Sequence, residues 1–162
     1  MSGPSTPVGT ELGAGAAVRF RMATATDLEA LVGLEASVFD PPWTAEQIAQ
    51  FWCAPGASGW LAEDAEGCAV GVALFREFQG EAELLRVATR PAWQRRQIAR
   101  RLLGRALAGF DRGGVVCFLE VRSDNLDAQE LYAHLAFERS GLRRKYYQDG
   151  CDAWLYVRRP PR

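Results

Sequence analysis

The run from Leu84 to Leu103 places concentrated charge between two ordinary elements. Leu84–Thr89 reads as strand, Arg90-Pro91 as a turn, Gln94-Arg95-Arg96-Gln97-Ile98-Ala99 as an arginine-rich loop, and Arg96 to about Arg112 as a helix. A loop that opens a helix presents several unpaired N–H groups and the positive end of the helix dipole. Such a seat suits a polyanion, above all a pyrophosphate, and nearby guanidinium groups add charge-assisted hydrogen bonds. A second chemical element follows in Leu119 to Tyr132. Glu120 ends an otherwise apolar strand, where an ionised carboxylate needs a partner or a role. By spacing alone it is either paired with Arg122, two residues on along the same strand face, or a general base at the edge of a cleft. Tyr132 is either a core aromatic or a proton donor. Asn125 reads as a helix N-cap.

The elements that must position these residues are legible from periodicity. Val18–Met22 is a first strand; Thr26, with Glu29 as its capping-box partner, opens a helix with an apolar stripe at Leu28, Leu31, Leu34 and Val38. Asp40-Pro41-Pro42-Trp43 ends it. Thr44 opens a second helix, with Gln47 in the box, and Pro55-Gly56 closes it. Gly59–Asp64 and Cys68–Phe78 form a hairpin, Glu81–Thr89 a further strand, and Val115–Val121 an apolar run predicted to be covered on both faces. A short helix to about Ala136 and two closing strands, Phe137–Tyr146 and Asp152–Val157, complete the chain. The order β-α-α-β-β-β-α-β-α-β-β describes an α/β fold, a mixed sheet with helices on both faces.

Composition removes several function classes. A formal net charge of -1 offers no global field for nucleic acid. The four cysteines, at 53, 68, 117 and 151, are scattered without C-x-x-C spacing, and His134 is the single histidine, so neither a metal site nor a Cys–His nucleophile is supported. Scattered thiols fit a reducing, cytoplasmic setting. No run is long enough to span a membrane. Residues 1–17, rich in Gly, Ser, Pro and Thr, read as a disordered tail before a single domain at 18–162.

These motifs resemble those of the GNAT superfamily of N-acetyltransferases. Gln94 to Ala99 is similar to its acetyl-CoA loop, R/Q-x-x-G-x-G/A, with Gln97 in the place of the central glycine. Leu119-Glu120-Val121-Arg122 through Asn125, Ala128 and Leu131-Tyr132 resembles the L-E-V-R-x-x-N-x-x-A-x-x-L-Y signature of RimI-type enzymes, which acetylate the N-terminal amine of a ribosomal protein. Asp40 to Thr44 is similar to their F-P-W-S turn, and Arg143 to Tyr147 to their R-R-x-Y-Y element. The resemblance implies a GNAT fold and acetyl-CoA as cosubstrate. It implies Glu120 as base and Tyr132 as the acid that protonates the departing thiolate. Val87, Ala88, Thr89, Arg95, Arg96, Gln97, Ile98, Ala99, Arg100 and Asn125 would contact the cofactor, and Trp43, Tyr146 and Tyr147 the acceptor. It also implies direct transfer, without an acetyl-cysteine intermediate. The partner is then a protein N-terminus, possibly of a ribosomal protein, rather than nucleic acid or membrane. An α-amine, with a pKa of ~7.7–8.0 against ~10.4 for lysine, is roughly one-tenth neutral at pH 7, so a modest base suffices. Two other functions are compatible with the fold: a small-amine or antibiotic acetyltransferase, and a catalytically silent acyl-CoA-binding module. Gln97 is the departure that matters. At negative φ it costs little; at positive φ it occupies a glycine position.

Overall fold

The structure, a computed structural model, describes residues 10–11 and 17–162. Its strands are β1 (Thr10–Glu11), β2 (Val18–Met22), β3 (Ala57–Glu63), β4 (Ala69–Phe78), β5 (Glu81–Thr89), β6 (Val116–Arg122), β7 (Glu138–Arg143) and β8 (Ala153–Arg158). Its helices are α1 (Leu28–Val38), α2 (Ala45–Cys53), α3 (Ile98–Gly113) and α4 (Leu126–His134). The strands form one sheet in the order β1-β2-β3-β4-β5-β6-β8-β7. Every neighbouring pair is antiparallel except β5–β6. The two-residue rung β1 falls within the segment read as a tail and pairs with Val18 and Arg19; the rest of that reading lies outside the described residues.

Two apolar layers cover the sheet. One gathers Ile98, Leu102, Leu103, Leu107 and Phe110 of α3 with Tyr132 of α4 over Phe75, Leu84, Leu119 and Val121. The other gathers Leu31, Leu34, Ile48 and Phe51 of α1 and α2 over Leu61, Val72, Leu74 and Ala88. The helical stripes and strand alternation that predict these elements are thus the residues that fill the layers. Gly71 lets α3 come down on β4: a Cβ there would stand 2.7 Å from Ile98 Cγ2 and 3.2 Å from Leu102 Cδ1. No helix among the described residues is long and apolar enough to cross a membrane.

Three local expectations are corrected. The first helix is opened by Thr24 rather than Thr26. The Thr24 amide donates to Asp27 Oδ2 at 2.8 Å, and a tight 3-10 turn at Ala25–Asp27 precedes α1, because the short Asp27 side chain is already committed to Thr24 and Arg21. By contrast Thr44 and Gln47 form the expected reciprocal box, with amide bonds of 2.9 and 3.2 Å. The α3 helix begins at Ile98 rather than Arg96, since Gln97 is left-handed at φ 61° and ψ 17°. Finally, β6 is not covered on both faces: Cys117, Leu119 and Val121 are buried, while Phe118, Glu120 and Arg122 are only half-buried. The half-open face is the one that carries Glu120.

Candidate active site

The parallel pair β5–β6 is joined at only three places, Glu81–Val116, Ala82–Cys117 and Glu83–Phe118. Beyond them the strands part, and Leu84–Thr89 faces Leu119–Arg122 across a gap with no ladder bonds. The cause lies in β5. Leu74 pairs with Arg86 and Phe75 with Leu84, so Leu85 is an extra residue, a β-bulge. A bulge bends its strand and raises the local twist. The edge of β5 that bears Val87, Ala88 and Thr89 is left without β6 as a partner.

On the α3–α4 side of this gap lies a cleft of about 680 Å³. Of the residues expected to contact the cofactor, Thr89, Arg95, Gln97, Ile98, Ala99, Arg100 and Asn125 line it. Among the described residues, no hydrogen-bond acceptor meets the main-chain amides of residues 95–100; the first helical bond runs from the Arg101 amide to the Gln97 carbonyl at 3.0 Å. Arg95 and Gln97 both take left-handed backbone, at φ 61°, and left-handed residues alternating with right-handed ones are the backbone pattern of an anion nest. Gln97 therefore sits in a conformation that costs an L-residue roughly 1–2 kcal/mol. Its exposed side chain joins the cleft lining. Asn125 caps α4 by accepting the Ala128 amide at 3.1 Å, and lines the cleft at the same time. The Thr89 Oγ1 is buried with no protein partner.

Three predicted cofactor residues lie outside the cleft lining. Arg96 turns its guanidinium over the Trp93 ring, 4.8 Å from the centroid. Val87 and Ala88 form the strand beneath: Val87 packs into the α3 layer and Ala88 into the α1–α2 layer. Conversely, Trp93, Asp127, Glu130, Leu131 and His134 line the cleft without having been singled out. Their signal was helical spacing from Asn125, which places residues 127, 130, 131 and 134 within one α4 face.

Glu120 looks to the other side of the sheet. Its carboxylate is 23% exposed and lies 2.9 Å from Arg143 Nη1. The pairing with Arg122 is not formed. Arg122 instead holds Asp124, at 3.0 and 2.9 Å, and Asp149, at 2.7 Å, and its guanidinium stands 4.8 Å from the Tyr147 ring centroid. Register explains the choice: the β7–β8 turn folds back over the end of β6 and carries Arg143 and Asp149 to it. The Tyr146 phenol reaches the Glu120 carboxylate, and that contact pushes the Tyr146 pKa upward. Burial, then the charge on Glu120, raises that of Tyr147. Thus two of the three predicted acceptor residues gather at Glu120. Trp43 stands apart on the α1–α2 side, with Phe51 at 6.1 Å and Arg86 at 4.5 Å. In the sequence Arg143 stands within the R-R-x-Y-Y element, and the charge of that element is the signal for its place beside Glu120.

Tyr132 is buried between Phe137, at 5.7 Å, and Tyr156, at 6.1 Å. It is outside the cleft lining. Burial, with a lesser contribution from Tyr147, holds its phenol well above the usual value. The group is therefore protonated at neutral pH, the state a proton donor requires. Burial pushes the Cys117 thiol up to about 12, which makes it inert as a nucleophile.

The sheet thus splits beside a cleft lined by the first turn of α3 on one side, with a carboxylate on the other. A model of the acetyltransferase (GNAT) family matches residues 28–137, and the chain belongs to that family. Within it, the chain is 40% identical over 142 residues to the N-alpha-acetyltransferase RimI of Mycobacterium tuberculosis, covering 83% of this chain and 88% of that protein. It is 30% identical over 123 residues to the ribosomal protein bS18-alanine N-acetyltransferase of Escherichia coli, covering 75% of this chain and 82% of the relative. The crystal structure of the Escherichia coli ribosomal-protein-S18-alanine N-acetyltransferase superposes with a TM-score of 0.83 at 27% identity, over 90% of this chain and 95% of that one.

Proposed function

We propose that the protein transfers the acetyl group of acetyl-CoA to the α-amine at the N terminus of a protein, with a ribosomal protein as the acceptor, in the cytoplasm. The reading rests on one observation: where β5 and β6 part, a cleft lined by the first turn of α3 lies on one side of the sheet and Glu120 with Tyr146 on the other. Kinship to enzymes named for the same reaction supports the acceptor class.

Acetyl-CoA supplies an activated thioester. The amides of residues 95–100, unpartnered among the described residues, and the Arg95 and Arg100 side chains suit its diphosphate, with the Gln97 side chain in the same lining. Gln97 can donate through its amide, so the residues present fit the group. Of the amide groups near the end of β5, those of Val87 and Thr89 lie on the open edge and suit the developing oxyanion, while that of Ala88, like that of Arg90, is directed to β4. Glu120 takes the proton lost by the attacking amine, directly or through one water. Arg143 keeps the carboxylate in place, and Tyr132 returns a proton to the thiolate. The acceptor approaches from the Glu120 face, between the Trp43 turn and the Tyr146–Tyr147 turn.

The test is acetyl-CoA titration by calorimetry, followed by thiol release with N-terminal peptides that differ in their first two residues. Turnover of peptides with a free α-amine, and none with the same peptides blocked at that amine, is the expected result. Turnover of small amines alone assigns the chain to the small-amine branch. Binding without any turnover assigns it to a silent acyl-CoA module.

A further inference from the structure

The bulge at Leu85 does more than part the strands. Before it, Ala82 and Leu84 point into the α3 layer; after it, Val87 does so again. Leu85 belongs to the α1–α2 layer, and Arg86, the next residue, faces that same side, against Glu35, Phe39 and Trp43. Two consecutive side chains on one face are what an inserted residue produces. Strict alternation through Leu85, with no bulge, would instead send Arg86 after Leu84 into the apolar α3 layer.

Arg86 lands in a built site. Its guanidinium lies 4.4 Å from the Phe39 ring centroid and 4.5 Å from that of Trp43. Its Nε stands 3.4 Å from Glu35 Oε1, and neither atom has a hydrogen bond. Glu35 is 2% exposed. Its Oε2 accepts the Trp43 amide at 2.9 Å, while its main-chain carbonyl accepts the Phe39 amide at 2.9 Å. One buried residue thus ties both ends of the Phe39–Trp43 turn, through its main-chain carbonyl at Phe39 and its carboxylate at Trp43, and one cation stands over the two rings. A buried charge is tolerable only when paired, so each member requires the other.

We propose that Arg86 and Glu35 are positioning residues for the acceptor. They fix the Phe39–Trp43 turn against the parted strands and thereby determine acceptor affinity rather than the rate of acetyl transfer. The inference rests on the reading that the acceptor enters from the Glu120 face, where that turn stands.

The test compares Arg86→Met, Arg86→Lys, Glu35→Gln and the Glu35→Gln/Arg86→Met pair. Peptide KM, kcat, acetyl-CoA Kd by calorimetry, and amide hydrogen exchange over residues 39–44 are measured for each. Arg86→Met is expected to raise peptide KM at least fivefold, with kcat and acetyl-CoA Kd within twofold, and to speed exchange in the turn. Arg86→Lys, which keeps a cation over the rings, should restore part of the KM. The double variant, which removes both charges, should be less impaired than Arg86→Met alone. An unchanged KM, or kcat and Kd deteriorating in step with KM, overturns the proposal. If Arg86→Met does not fold, Arg86→Lys and Glu35→Gln decide the matter by the same criteria. If the wild-type chain turns over no N-terminal peptide, the acceptor reading fails by itself, and exchange over residues 39–44 still shows whether the pair fixes the turn.

Discussion

At Gln97 a glutamine holds a backbone conformation suited to glycine, with φ at 61°. Gln97→Gly removes roughly 1–2 kcal/mol of left-handed strain but frees the unfolded chain by roughly 0.5–1 kcal/mol. The expected net gain is about 0–1.5 kcal/mol, or a Tm rise of about 6 °C at most for a chain of this size. Acetyl-CoA affinity should rise by less than ~10-fold, since ~1.4 kcal/mol per decade bounds the gain; calorimetry and thermal melting check both. Glu120→Gln is the sharper residue-level change. It keeps the shape facing Arg143 while removing the base, so kcat/KM with an N-terminal peptide should fall by roughly 10²–10⁴, with acetyl-CoA affinity unchanged. The pH profile of the wild-type enzyme should rise as the acceptor amine deprotonates near ~7.7–8.0. It should show no descending limb from Tyr132 below about pH 10, because burial holds that phenol above its ordinary value. A descending limb lost in Tyr132→Phe would contradict this.

At the level of elements, the nest is only as well placed as the first turn of α3. That turn sits close to β4 because residue 71 lacks a Cβ. Gly71→Ala puts a methyl 2.7 Å from Ile98 Cγ2, in a buried layer with little room to yield. Overpacking of this kind costs about 1–3 kcal/mol, and lifting Ile98 tilts the amides of residues 98–100. Urea unfolding should report the lost stability. Acetyl-CoA Kd should weaken at least fivefold, whereas an alanine at Gly104, where a Cβ meets nothing within 4 Å, should leave Kd unchanged. The β7–β8 turn is the other element on which function depends. It delivers Arg143, Tyr146 and Tyr147 to Glu120, and Arg122 fastens it through Asp149.

Across the whole molecule, ion pairs tie distant elements together. Arg158 of β8 holds both oxygens of Asp111 near the end of α3, at 2.6 and 2.9 Å, and the Leu135 carbonyl beyond α4, at 2.9 Å. Arg21 joins Asp27 and Glu63 across β2 and β3. The arginines hold the carboxyls of Asp27, Glu63 and Asp111 below their ordinary values. A depressed folded value means that the unfolded chain takes up protons first as pH falls. This stability is therefore complete above the ordinary carboxylate range, about 3.9–4.3, and is lost as pH drops through the depressed values. Glu35 has the opposite sign: burial raises it, so its contribution declines as pH rises through its raised value. Urea midpoints should fall from pH 5 to pH 3, and Arg158→Met should reduce that fall by removing the partner of Asp111.

Much of this was legible locally. The apolar stripes of α1 and α3, the Thr44–Gln47 box, the Asn125 cap and the full extent of β5 follow from neighbours two to four residues apart, the range over which helix and strand periodicity operates. The residue types at 94–99, 120, 132 and 143–147 likewise fixed the chemistry available. Tertiary structure alone decided which groups met. The Leu85 bulge turned Arg86 to Glu35, and strand register gave Glu120 to Arg143 and Arg122 to Asp149. The descent of α3 onto Gly71 left Gln97 left-handed at the mouth of the cleft. Local periodicity encodes an element and its buried face, but the partner of a charge depends on strands brought together from far along the chain, and only the assembled sheet sets that pairing.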